Sequence, residues 1–102
     1  MVKIQELLSV GRENRVSADD LKRATGLSTR GLMEQIRRER RAGALILSDT
    51  SPGGFWLASP DDLEGLEEYY NRTRKTALNA LATLRPIRQQ LKRKYNTWQR
   101  NE

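Results

Sequence analysis

The chain has 102 residues, enough for one compact domain with an appended helix, and its 19 Lys and Arg against 13 Asp and Glu leave a formal net charge of +6. That balance makes nucleic acid the first partner class to consider. Cysteine and histidine are both absent, which excludes disulfide scaffolds, thiol nucleophiles, Cys/His zinc sites and imidazole acid–base chemistry, so no catalytic residue, metal or cofactor is expected.

No stretch approaches the roughly 18 apolar residues of a membrane span, and the expectation is a cytoplasmic chain with no membrane partner. Val2, Ile4, Leu7, Leu8 and Val10 have the spacing of a short amphipathic helix ending at Gly11. Ser17 is a fitting N-cap for a second helix, with Asp19 and Asp20 in its positive first turn, running to about Thr25. Gly26 supplies a sharp turn, Leu27 an apolar anchor and Ser28 a further N-cap. The third helix, Thr29 to about Ala42, turns Leu32, Ile36 and Met33 inward and stops at Gly43.

Beyond Gly43 the pattern becomes extended. Leu45, Ile46 and Leu47, a turn cluster from Asp49 to Gly54, then Phe55, Trp56 and Leu57 predict a β-hairpin. Phe55 and Trp56, being adjacent on a strand, point to opposite faces, one into the core and the other toward the next helix. Ser59 and Pro60 predict the start of a long final helix, and Asp61, Asp62 and Glu64 complement its dipole. Pro86 predicts a kink or a break within it. The expected fold is mostly α with a small β-hairpin: residues 1–58 as one domain and 59–102 as a long basic C-terminal helix.

The stretch Leu21 to Gly43, LKRATGLSTRGLMEQIRRERRAG, resembles winged helix-turn-helix DNA-binding domains, whose turn commonly reads Thr-Gly-Leu-Ser. Gly43 to Ala58, GALILSDTSPGGFWLA, is similar to the hairpin of small prokaryotic and phage-encoded winged-helix proteins. Two residues depart from the family pattern: Glu39 stands where an apolar residue is usual, and Lys22 where the second helix often has alanine. The resemblance implies double-stranded DNA as partner and the third helix as the reader in the major groove. On that helix Arg30 suits bidentate recognition of guanine, and Glu34 can accept from cytosine N4. Ser28, Thr29, Arg37, Arg38 and Arg41 complete the expected DNA-contacting set, and Lys22, Arg23, Lys92, Arg93 and Lys94 are secondary backbone contacts. The hairpin turn, Asp49 to Gly54, brings no Lys or Arg of its own.

Along the final helix, Leu63, Leu66, Tyr70, Thr73, Ala77, Ala80, Leu84, Ile87, Leu91 and Trp98 follow a three-four spacing, the pattern of a coiled-coil seam. Leu84, Ile87, Leu91 and Trp98 are the expected self-association residues. Acids cluster at the start of this helix and cations follow, which favours an antiparallel homodimer. The acidic start could suggest a metal nuclease, but its place at a helix N-terminus is explained by the dipole. Function therefore reads as a sequence-recognising DNA-binding protein, a dimeric transcriptional regulator or a phage accessory protein. The alternative is a winged-helix adaptor that docks another protein in a replication or packaging assembly.

Overall fold

In a computed structural model that describes residues 2–50 and 53–95, the chain is mostly helical with one two-stranded antiparallel hairpin. Helix α1 spans Ala18–Thr25 and α2 spans Thr29–Arg41. Each begins at a serine whose hydroxyl accepts an orphan amide, Asp20 N–H at Ser17 and Gly31 N–H at Ser28, both at 3.1 Å. α1 ends at Gly26 in the left-handed conformation, φ 74°. α2 ends in a Schellman motif: Gly43, at φ 111°, donates to the Arg40 carbonyl, and Ala44 donates to the Glu39 carbonyl.

Strands β1, Ile46–Asp49, and β2, Gly54–Leu57, pair with Leu47 opposite Trp56 and Ser48 opposite Phe55. Alternation sends Phe55 and Ile46 into a core with Ile4, Leu8, Leu21, Leu32 and Ile36. On the other face Leu47 and Trp56, with Ala58, meet Leu66 and Tyr69 of α3, which spans Leu63–Thr83. The two adjacent aromatics thus serve opposite faces, as their strand positions require. Full burial of an aliphatic side chain contributes roughly 1.5–3 kcal/mol. The most buried ones, Ile4, Leu21, Leu32, Ile36 and Ile46, come from four different elements, so the core ties the N-terminal segment, both helices and the hairpin together.

The N-terminal segment departs from the expected helix over Val2–Val10. It forms a single 3₁₀ turn, Ile4–Leu7, and Val2 and Val10 are exposed. Two interactions outweigh the amphipathic pattern. First, Ile4 N–H and Gln5 N–H donate to the two carboxylate oxygens of Glu39 at 2.7 and 2.8 Å. Second, the outer edge of β2 takes up the chain from Ser9 to Val16: Leu57 N–H donates to Ser9 O, Gly11 N–H to Leu57 O, and Phe55 and Val16 exchange bonds in both directions. A helix continued through Val10 would withdraw these backbone groups from the strand edge.

A further departure lies at a helix boundary. α3 begins at Leu63 rather than at Pro60, because Asp62 accepts Gly65 N–H at 3.1 Å and acts as the cap, while Ser59 closes a turn on Asp61 N–H. At Pro86 the expected kink or break is a break: α3 stops at Thr83 and α4, Arg85–Lys94, starts after Leu84 with the proline in its first turn. Proline needs no N–H partner there and avoids the carbonyl four residues back. Trp98, the last expected seam residue, lies outside the described residues. The chain divides into two compact units, Met1–Tyr69 and Tyr70–Glu102.

Glu39→Ala is expected to lower stability by about 2–4 kcal/mol, since bonds to a charged acceptor are worth about 1.5–3 kcal/mol and Ile4 N–H would be left buried and unpaired. Urea unfolding checks this through a lower midpoint at unchanged slope. An alanine variant within about 0.5 kcal/mol of the parent would contradict it.

Candidate nucleic-acid interface

α2 owes its orientation to burial of Leu32 and Ile36 on one side, and this leaves Thr29, Arg30, Glu34, Arg37, Arg38 and Arg41 exposed. Residues 30, 34, 37, 38 and 41 form one stripe at helical spacing. Arg30 reaches Glu34 with its Nε 3.2 Å from Oε1, and its side chain is 89% exposed. The two expected base readers therefore pair with each other in the free protein. An exposed pair of this kind is worth about 0–1 kcal/mol, so either partner exchanges readily for a stronger one.

At the N-terminal end of α2, Lys22 Nζ donates to Thr29 Oγ1 at 3.1 Å and also lies 3.4 Å from Asp19. Arg23 pairs with Asp20 at 3.2 Å. Lys22 thus bridges α1 to the start of α2 by its half-buried side chain. A shallow open depression is lined here by Lys22, Arg23, Ser28 and Thr29 together with Asp19 and Leu27. Glu34, Arg37, Arg38 and Arg41 line a second one farther along the helix. Ser28 uses its oxygen as the acceptor for Gly31 N–H and retains its own hydroxyl proton for donation. Arg38 donates to the Gln35 side chain at 2.9 Å.

Glu39 and Arg40 leave this surface. Glu39 is 4% exposed and turned toward the N-terminal segment, where Gln35 adds a third donor at 2.7 Å. Arg40 donates to Ile46 O at 2.8 Å and Ser48 Oγ at 3.4 Å on the free edge of β1, and its guanidinium lies 5.1 Å from the centre of the Tyr69 ring. Exposed charge on α2 is then Arg30, Arg37, Arg38 and Arg41 against Glu34, or 4 − 1 = +3. An array of guanidinium groups on a helix can bind phosphate oxygens and base edges by charge-assisted hydrogen bonds.

The chain matches no protein-family model, no curated protein and no solved structure. Among the described residues no group of three or more acids, cysteines or histidines could hold a metal ion, and no helix is long and apolar enough to cross a membrane.

Lys92, Arg93 and Lys94 occupy the last turn of α4, where cations complement the negative end of the helix dipole; they belong to the second unit. Leu84, Ile87 and Leu91 are brought together in that unit, joined by Leu78 and Leu81, which the seam spacing omitted. Arg12 joins the hairpin without a local sequence signal. Its guanidinium pairs with Asp49 at 2.9 Å and lies 5.8 Å from the centre of the Trp56 ring, giving the hairpin a cation from outside its own turn. No local pattern marks a pair separated by 37 positions.

Gly26→Ala is expected to cost about 1–2 kcal/mol. A Cβ at Gly26 would meet nothing within 4 Å, so the whole penalty comes from its left-handed backbone. Thermal melting of the variant beside the parent measures it, and an unchanged melt would show that the turn relaxes.

Proposed function

We propose that the chain is a winged helix-turn-helix protein that binds double-stranded DNA with sequence preference, as a transcriptional regulator or a phage accessory DNA-binding protein. The observation that carries this reading is the single exposed stripe Arg30, Glu34, Arg37, Arg38 and Arg41 on α2. That helix follows α1 across the three-residue turn Gly26-Leu27-Ser28. In this reading the stripe lies in the major groove, with Arg30 on guanine O6 and N7 and Glu34 on cytosine N4. Thr29, Ser28, Lys22 and Arg23 at one end, and Arg37, Arg38 and Arg41 at the other, hold phosphates. The mechanism is binding without chemistry, which suits a chain lacking both histidine and cysteine.

The hairpin serves as the wing. With Arg12 its nearby cation, it contributes backbone and hydroxyl contacts rather than an arginine inserted in the minor groove. A second reading, a protein-docking adaptor, is favoured by the exposed aliphatic side chains of the second unit. Retention on random duplex separates the two: steep loss with salt supports DNA binding, and near-zero retention at low salt supports the adaptor.

Selection from a random duplex library is expected to enrich one motif. On that motif Arg30→Ala should cost about 1–3 kcal/mol while barely changing affinity for random duplex. Replacing Arg37, Arg38 and Arg41 by alanine should weaken both and flatten the dependence of log K on log salt by about 0.9 for each phosphate left without its cation. Equal losses on motif and random duplex for Arg30→Ala would make that residue a phosphate contact, and no enrichment would remove the sequence preference.

A further inference from the structure

The second unit carries an apolar groove. Leu78 and Leu81 of α3 and Leu84, Ile87 and Leu91 at and beyond the break line a concavity of about 430 Å³, with Arg85 and Arg88 on its rim. Leu81, Leu84 and Ile87 are each more than half exposed. The surrounding charge is of one sign: residues 70–95 contain eight Lys and Arg and no Asp or Glu. An occupant must therefore offer apolar side chains between acids.

The start of α3 has that character. Residues 61–68 contain five acids and no cation, and Glu64 and Glu67 are exposed. Leu66 and Tyr69 are committed to the hairpin, yet Leu63 and Tyr70 stand 71% and 63% exposed. Both belong to α3.

We infer that the groove receives the start of α3 from a second copy of this chain, in a reciprocal antiparallel dimer. Leu63 and Tyr70 of each copy enter the partner's groove, and Glu64 and Glu67 face Arg85 and Arg88 on its rim. A twofold axis makes each contact occur twice, so the interface closes and no acidic or basic segment is left facing its own kind. A parallel pairing would set the cationic segments against each other. DNA would neutralise the rim while leaving five aliphatic side chains in water. This inference is independent of the DNA reading, since none of its residues lies on α2.

The test uses the full-length chain in sedimentation equilibrium at tens of micromolar. The parent is expected to be a dimer. Arg85→Glu with Arg88→Glu, and separately Glu64→Lys with Glu67→Lys, should each weaken self-association by about tenfold or more, because each altered pair is met twice. Mixing the two variants should restore a dimer, since both grooves then meet an opposite charge. Leu81→Ser, an exposed change, should also dissociate the dimer while circular dichroism stays that of the folded chain. A parent that stays monomeric at a few hundred micromolar would overturn the proposal and leave the groove to a different protein. A dimer indifferent to the reversals and to Leu81→Ser, or variants that fail to recover on mixing, would overturn it as well.

Discussion

A buried carboxylate held by backbone and amide N–H groups organises the first unit. Removing an ion from water carries a penalty of several kcal/mol even after relaxation, so Glu39 is tolerated only because three N–H groups point at it: Ile4, Gln5 and the Gln35 side chain. Charge-assisted bonds of this length are about twice as strong as neutral ones. In exchange the carboxylate satisfies the leading amides of a short 3₁₀ turn that has no other cap, and it fixes Ile4 at the centre of the core. The Glu39 carbonyl meanwhile closes the end of α2 through Ala44. One residue thus takes part both in the closing turn of α2 and in holding the segment that covers its inner side.

The rotation of α2 that buries Leu32, Ile36 and Glu39 together sorts its arginines. Arg40 falls beside the hairpin and is consumed by the exposed edge of β1 and the Tyr69 ring, a structural task that closes a strand edge. Arg37, Arg38 and Arg41 fall on the far side and keep their guanidinium groups in solvent. Glu39, the acid that would have diluted that surface, is inside. The electropositive stripe and the stability of the N-terminal segment are therefore two consequences of the same packing.

What was legible in the sequence was local. Ser17, Ser28, Gly26 and Gly43 act on amides, carbonyls and dihedral angles within a few residues, and the bounds of α1 and α2 follow from them closely. The hairpin, with Phe55 and Trp56 on opposite faces, was equally readable from turn chemistry and alternation. Long-range partners were not: the Glu39 bonds to Ile4 and Gln5 span 35 and 34 positions, beyond the reach of any local pattern. The N-terminal apolar spacing suited a helix, but it could not show that β2 needed a partner on its outer edge. In α3 the seam residue Leu66 packs on the hairpin together with Tyr69, which the seam spacing omitted, because both follow the side facing Trp56. The break at Leu84 then gathered Leu78 and Leu81 with Leu84, Ile87 and Leu91, a grouping that an unbroken helix would not make.

If the exposed side of α2 reads DNA, the contact must appear there and nowhere first. Backbone amide shifts of the full-length chain, followed by two-dimensional NMR during titration with a duplex carrying the selected motif, test this directly. Perturbations are expected to concentrate between Ser28 and Arg41, with smaller ones at Lys22, Arg23 and the hairpin. Perturbations confined to residues 70–95, or none at low salt, would contradict it.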